Sequence, residues 1–225
     1  MLAKDWMSKN VITVDIHDSM HDVMQIFREN GIRRAPVMKK GDLVGIITDR
    51  DLRRTTAAQD PRLEVHELIA VIEKVSIKEN MTQNPVTVPV DFTIDETAAV
   101  LLKNKISGAP VMDHEGKMAG IIAQADIFRA LASLTGLEKQ GIQFALRLPD
   151  TPGTVEAVTD IIRQTGGHLA SILAAYSQAP VGYRNVYIRA YGIDREKLPS
   201  VEEQIHQKAK VLYIIDHGQN RREIF

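Results

Sequence analysis

The sequence lacks cysteine, long apolar runs and any excess of charge of one sign. Without cysteine there is no disulfide, thiolate metal site or cysteine nucleophile, and a reducing compartment suits such a chain. No apolar run approaches the roughly 20 residues that cross a bilayer, and the N-terminus lacks the basic and apolar segments of a secretion signal. We therefore predict a cytoplasmic protein without a membrane partner.

The formal net charge of −1 gives the chain no overall attraction to nucleic acid. Arg50, Arg53 and Arg54 share one predicted helix, but no stacking aromatic residues accompany them, which argues against nucleic-acid binding. His17 and His21 lack a third metal ligand nearby in the sequence. Neither GxSxG, GxGxxG, HExxH nor a P-loop occurs. We therefore predict a protein that is not an enzyme, with no catalytic residue, metal or obligatory cofactor.

An internal repeat organises the first 133 residues. Three segments recur in the same order, at an offset of 74 and then 75 residues. The pairs are Met7–Val14 with Met81–Val88, Asn30–Met38 with Asn104–Met112, and Gly45–Leu52 with Gly120–Ile127. Matches that keep one order over so long a stretch indicate two copies of one structural unit.

Each copy is predicted to contain an extended piece, a helix, two strands and a second helix. In the first copy these are Val11–Val14, a helix from Met20, Ala35–Met38, Leu43–Thr48 and a helix from Asp49. Pro61 interrupts the chain, and a linking helix is predicted over Leu63–Lys74. The predicted boundaries are 1–60 for the first repeat, 61–75 for the linking helix and 76–135 for the second repeat.

This order, with its Ala-Pro-Val and Gly-Ile-Ile-Thr-x-x-Asp motifs, resembles the CBS domain, which occurs in tandem as a Bateman module. The resemblance implies that an adenine nucleotide binds between the repeats as a regulatory ligand. It places phosphate contacts at Thr48 and at the arginine pair, ribose contacts at the aspartates, and adenine contacts at Thr13 and Thr87. The implied nucleotide-binding residues are Thr13, Arg33, Arg34, Ala35, Pro36, Thr48, Asp51, Thr87, Ala109, Pro110 and Asp126.

Two interpretations of Thr48 and Asp51 stay open. Unpaired amides at a helix start stabilise a phosphate, and a carboxylate one turn later can accept from ribose hydroxyls. The same Thr-x-x-Asp spacing is also close to a capping box that binds no ligand. In the second copy Ala123 replaces the threonine while Asp126 remains, which favours a ligand or the helix dipole.

The two copies differ in charge. The first has Arg33, Arg34 and Arg50, where the second has Ser107, Gly108 and Ala125. We therefore expect the phosphate electrostatics to lie mainly on the first repeat. One complete site and two hybrid sites are both compatible with this asymmetry.

The C-terminal third is predicted as a β-α-β-β-α-β ferredoxin-like unit over 141–217, followed by a tail at 218–225. Its Leu148-Pro-Asp-Thr-Pro-Gly153 turn and Gly166-Gly-His-Leu-Ala-Ser171 segment resemble the ACT domain, which implies a small metabolite held by Asp150, Gly153 and His168. The alternative, which the Pro-Gly pair itself favours, is a plain tight turn that binds no ligand. The predicted fold class is therefore α/β (α+β), with a Bateman module followed by an ACT domain.

Two CBS repeats followed by an ACT domain resemble the acetoin utilization protein (AcuB) family over nearly the whole chain. The resemblance implies a non-catalytic sensor of an adenosine ligand, of the AMP, ADP, ATP or S-adenosyl type, in acetoin utilization. It also implies a homodimer and a regulated protein partner. The alternative is a scaffold for interaction or oligomerisation whose pockets stay empty.

Overall fold

The structure is a computed structural model that describes residues 1–57 and 65–225. It contains two compact units, Met1–Phe128 and Arg129–Phe225, and the division falls within one helix. Pro61 and the start of the predicted linking helix lie outside the described residues. In the described part of the chain, no helix is both long and apolar enough to span a membrane.

The N-terminal unit contains the predicted helices and strands of both copies, with short helices before each. Its elements are α1 (Ala3–Trp6), β1 (Val14–Asp15), α2 (Met20–Asn30), β2 (Arg34–Lys39), β3 (Asp42–Thr48), α3 (Asp49–Ala57), α4 (Val65–Ile72), α5 (Ile77–Asn80), β4 (Thr82–Gln83), β5 (Val88–Pro89), α6 (Ile94–Lys103), β6 (Gly108–Met112), β7 (Met118–Ala123) and α7 (Gln124–Leu134). The opening strand begins at Val14, three residues later than predicted. The linking helix α4 ends at Ile72, and α5 is a separate turn of helix.

Both copies build the same small sheet. β1 lies parallel to β2, and β2 lies antiparallel to β3; β5, β6 and β7 repeat this arrangement. Matching residues are buried in the two copies, including Val37 and Ile47 in the first and Val111 and Ile122 in the second. The two predicted repeats are therefore two copies of one fold.

The first helix of each copy begins at a capping box. Ser19 and Asp22 exchange side-chain and backbone hydrogen bonds at the start of α2, and Thr93 and Glu96 do the same at the start of α6. Such reciprocal bonds satisfy amides that a helix start leaves unpaired. Both helices therefore start at equivalent positions of the repeat.

The segment before each copy packs on the sheet of the other copy. Residues 1–8 and 77–83 are called here the leading segments of the first and second repeats. Ser8 and Ile121 exchange two backbone hydrogen bonds of 2.9 and 3.0 Å, while β4 pairs with Gly45 and Ile46 of β3. The repeats thus exchange their leading segments, an arrangement that neither helical nor strand periodicity indicates.

The C-terminal unit has the β-α-β-β-α-β order predicted from the sequence. Its elements are a 3₁₀ turn (Leu137–Lys139), β8 (Ile142–Pro149), α8 (Thr154–Gln164), β9 (His168–Ala175), β10 (Tyr183–Tyr191), α9 (Leu198–Lys208), β11 (Lys210–Asp216) and β12 (Arg221–Ile224). The sheet order is β12-β11-β8-β10-β9, and all neighbouring strands are antiparallel. Apart from β12, this is the ferredoxin-like arrangement.

The sequence predicts a tail over residues 218–225, but half of these residues, Arg221–Ile224, form the strand β12. Asp216 accepts hydrogen bonds from the amides of Gly218 and Gln219, which turns the chain back onto β11. β12 then pairs with β11 from Tyr213 to Asp216. The strand Arg221–Ile224 is rich in charge and has no apolar alternation, so sequence periodicity does not reveal it.

Helices α8 and α9 cover one face of this sheet. Phe144 and Leu146 of β8 pack with Val158 and Ile162 of α8 in a single buried cluster. Ile205 of α9 belongs to the same cluster. The C-terminal unit therefore has a hydrophobic core of its own.

His217, next to β11, gives this unit a predicted sensitivity to acid. Burial lowers the pKa of His217 below its usual value of 6.5, and the charges of Arg189 and Arg222 lower it further. The unfolded chain then binds the proton more tightly, so the free energy of unfolding falls as the pH drops below about 6.5. We expect His217→Gln to reduce this loss between about pH 7 and about pH 5, measured by thermal denaturation. Equal pH slopes in the wild type and the variant would contradict the prediction; His114→Gln, on an exposed turn, is the control.

Candidate functional site

Asp51 and Asp126 occupy equivalent places in the two repeats, in the first turn of the helix that follows β3 or β7. Both are buried, with exposed fractions of 8% and 6%. Asp51 Oδ2 accepts from the amide of Thr48 at 3.0 Å and from its hydroxyl at 2.7 Å. Asp126 Oδ2 accepts from the amide of Ala123 at 2.7 Å. Both carboxylates therefore bond back to the residue that ends the preceding strand.

This geometry corrects the sequence argument about capping. The loss of threonine at position 123 does not remove the cap, because Asp126 bonds to the backbone amide, which any residue other than proline supplies. Capping uses Oδ2 in both cases, and a carboxylate has two oxygens with about four acceptor sites. Capping and ligand binding are therefore compatible functions of one side chain.

The second oxygen of Asp51 also has a protein neighbour. Its Oδ1 lies 3.3 Å from Nη2 of Arg54, which also donates to the carbonyl oxygen of Asn80 at 3.3 Å. The side chain of Arg54 is 66% exposed. A surface ion pair of this kind is weak. A hydroxyl group of a ligand could therefore replace the exposed guanidinium of Arg54 at Oδ1 of Asp51.

Arg34 extends from the first repeat to the second. Its Nη2 donates to Oγ of Ser107 at 2.8 Å, and its guanidinium occupies the space that a Cβ on Gly108 would fill. Burial lowers the pKa of Arg34, and the negative charges of Asp49 and Asp126 oppose that shift. Arg34 therefore belongs to the first repeat but places its guanidinium at the second, which is compatible with hybrid sites built from both repeats.

The remaining residues predicted for the nucleotide site are distributed unevenly. Arg33 is exposed and lines a groove between α2 and α3 that also includes Phe27 and Leu52. Thr13 and Thr87 are exposed and precede β1 and β5 instead of lying on them. The four Ala-Pro residues, Ala35, Pro36, Ala109 and Pro110, are buried in β2 and β6.

The residues predicted for a second ligand in the C-terminal unit do not all lie together. Asp150 follows β8, where Pro149 pairs with Tyr183, and Gly153 precedes α8 nearby. His168 pairs with Tyr191 at the other end of β10, about eight residues or roughly 27 Å along that strand. Within one chain, His168 therefore cannot share a site with Asp150 and Gly153.

Sequence reasoning missed the neighbours of Asp150. Its Oδ1 lies 3.5 Å from Nε of Arg184 and accepts from the hydroxyl of Tyr176 at 3.5 Å. Tyr176 directly follows β9 and Arg184 lies in β10. Both are 26 or more positions from Asp150, so no local spacing indicates them. Ser107 and Gly108 were noted in the sequence only as losses of charge, and their contact with Arg34 bridges 73 positions.

Comparison with known proteins identifies the N-terminal unit. The model of the CBS domain matches residues 3–57 and 72–133, which together make up more than half of the chain. The chain belongs to the CBS domain family. The two matches coincide with the two copies described above.

The CBS pair is similar to proteins of known sequence and structure. An uncharacterized protein of Methanocaldococcus jannaschii, MJ1426, is 32% identical, and the match covers 58% of this chain and 91% of that protein. The crystal structure of the CBS domain pair of protein MJ0100, in complex with 5′-methylthioadenosine and S-adenosyl-L-methionine, is 32% identical with a TM-score of 0.50. That match covers 59% of this chain and 96% of MJ0100's pair. CBSX2 from Arabidopsis thaliana is 26% identical with a TM-score of 0.51, and the match covers 58% of this chain and 93% of CBSX2.

Proposed function

We propose that this protein is a non-catalytic regulator whose CBS pair binds adenosine ligands. The observation that carries the proposal is the pair of buried aspartates at equivalent helix starts, Asp51 and Asp126. The CBS pair of MJ0100, which is similar over nearly its whole length, is bound to two adenosine compounds. The AMP, ADP, ATP and S-adenosyl types are all candidate ligands.

In the proposed complex, each aspartate accepts hydrogen bonds from the two ribose hydroxyls. Thr48 adds a hydroxyl beside Asp51, and the exposed Thr13 and Thr87 approach the adenine rings. Charge-assisted hydrogen bonds to a carboxylate are stronger than neutral ones, so the aspartates contribute most to ribose recognition. Because the repeats exchange their leading segments, a ligand that shifts one repeat also strains the other.

We propose further that the C-terminal unit acts as an ACT-type domain in a cytoplasmic homodimer. Its β-α-β-β-α-β order and the exposed edge strand β9 support this, because an unpaired edge strand favours pairing with another chain. Asp150 and Gly153 are the candidates for a metabolite site there, with Arg184 beside them. A role in acetoin utilization and a regulated protein partner complete the proposal by resemblance to the AcuB family.

Titration calorimetry of the whole protein tests the adenosine proposal. We expect AMP, ATP, 5′-methylthioadenosine or S-adenosylmethionine to bind the wild type. Asp51→Asn and Asp126→Asn should each lower the affinity for at least one of these ligands about tenfold or more. The reason is that a hydrogen bond to a charged group contributes about 1.5–3 kcal/mol.

Asp22→Asn is the matched control. Asp22 caps α2 with distances close to those of Asp51, 2.9 Å from the amide and 2.6 Å from the hydroxyl of Ser19. Its replacement removes an equivalent cap far along the chain from the aspartates, so stability should fall while affinity stays constant. If none of the four ligands binds the wild type, the adenosine proposal is wrong, and the ligand-free scaffold is the better account.

A further inference from the structure

The Arg34–Gly108 contact makes the two aspartate sites chemically different. Positions 34 and 108 correspond to one another in the repeat, and they face each other across the pair. The guanidinium of Arg34 reaches the second repeat at Ser107, but Gly108 has no side chain to return toward the first. A single cation therefore crosses between the repeats at these positions, in one direction.

Arg34 is directed to the Asp126 site by its surroundings. Gly108 pairs with Ala123 across β6 and β7, and the amide of Ala123 is the group that Asp126 caps. The guanidinium at Gly108 thus lies near Ala123, the residue that ends β7 and precedes α7. Asp126 is among the groups whose charge acts on Arg34.

The other acid near Arg34 is already compensated. Asp49 Oδ2 lies 3.1 Å from Nη2 of Arg53, its i+4 neighbour. Arg34 is half-buried, whereas Arg54 at the Asp51 site is largely exposed and bonded to Asp51 and Asn80. Electrostatic attraction is stronger for a cation withdrawn from water than for an exposed one. Of these two arginines, Arg34 is therefore the better partner for an anionic group.

We infer that the two sites select adenosine ligands by the charge of the 5′ substituent. This inference rests on the proposed function. The Asp126 site, with Arg34 and Ser107, takes an adenosine 5′-phosphate. The Asp51 site, toward which Gly108 extends no side chain, takes an adenosine with an uncharged 5′ substituent, such as a thioether. Arg34 is the residue that determines this specificity.

Two probes that differ at the 5′ position test the inference: AMP and 5′-methylthioadenosine. In calorimetry with the full chain, Arg34→Gln should weaken AMP about tenfold or more, which corresponds to one lost charge-assisted hydrogen bond. The affinity for 5′-methylthioadenosine should not change. Arg34→Lys, which keeps the charge but not the planar fork, should restore part of the AMP affinity. Arg163→Gln, on α8 of the C-terminal unit, removes one exposed charge elsewhere and should affect neither probe.

The aspartate variants assign each probe to a site. Asp126→Asn should weaken the binding of AMP and leave the affinity for 5′-methylthioadenosine unchanged. Asp51→Asn should weaken the binding of 5′-methylthioadenosine and leave the affinity for AMP unchanged. The inference is overturned if both probes bind but Arg34→Gln affects them equally, which would mark Arg34 as a structural partner of Asp126. It is also overturned if AMP follows Asp51. Failure of both probes to bind the wild type would instead overturn the proposed function.

Discussion

Replacing Phe144 with alanine is expected to lower the free energy of unfolding of the C-terminal unit by about 3–5 kcal/mol. Phe144 is among the largest fully buried side chains and lies in the cluster that joins β8 to both helices of the unit. The substitution removes the buried apolar surface of the phenyl ring and leaves a cavity. β8 is hydrogen-bonded to a strand on each side, so it cannot shift to close that cavity. Denaturant unfolding followed by circular dichroism measures the loss.

Ile224→Ala is the control for this substitution. Ile224 belongs to the same sheet but is 84% exposed on β12, so its truncation should change stability by about 0.5 kcal/mol or less. Because the core of the C-terminal unit is its own, binding of adenosine ligands to the N-terminal unit should survive Phe144→Ala. Equal effects of the two substitutions would mean that the α8–α9 core is not what stabilises this unit.

Replacing Gly120 with valine is expected to cost about 1–3 kcal/mol in the N-terminal unit. A Cβ at Gly120 would lie 2.5 Å from Sδ of Met7 and 2.8 Å from the carbonyl oxygen of Ser8. Those atoms belong to the leading segment of the first repeat, which bonds to β7 beside this glycine. Valine therefore pushes the exchanged segment away from its sheet, and thermal denaturation should report the loss.

A second substitution shows whether the exchange is the cause. Met7→Ala removes the flexible side chain that valine meets, so the double variant Gly120→Val/Met7→Ala should be more stable than the sum of the single effects predicts. Met81→Ala, whose side chain meets Gly45 in the equivalent place, should show no such coupling to Gly120→Val. Coupling to Met81 in place of Met7 would contradict the exchange of leading segments.

Much of the N-terminal fold could be predicted because the sequence contains two copies of the same structural unit. The repeat at offsets of 74 and 75 places β2, β3 and α3 correctly, and apolar periodicity places α8 and β8. By contrast, the position of β12 depends on the side chain of Asp216, which accepts hydrogen bonds in the turn before this strand. The residues of β12 show no alternation of apolar and polar side chains. The exchange of leading segments depends on contacts between the copies, which periodicity within one copy cannot indicate.

The position of the candidate site could be predicted from the sequence, but its hydrogen bonds and ion pairs could not. Asp51 and Asp126 stand out from the motif, and the structure places both at helix starts. The cap at Asp126 was missed because its partner is the backbone of Ala123, which residue type does not reveal. The contact of Arg34 with Ser107 could not be predicted because it joins positions 73 residues apart. His168 was grouped with Asp150 by the motif, although strand direction separates them.

The exchange of leading segments also affects how the protein acquires its fold during synthesis. Ser8 pairs with Ile121, and more than a hundred residues separate them. At about 5–20 residues per second, the ribosome needs roughly 6–23 seconds to make that stretch. During this interval the leading segment of the first repeat has been made, but its pairing partner β7 has not. The leading segment therefore reaches its final packing only after most of the second repeat has emerged.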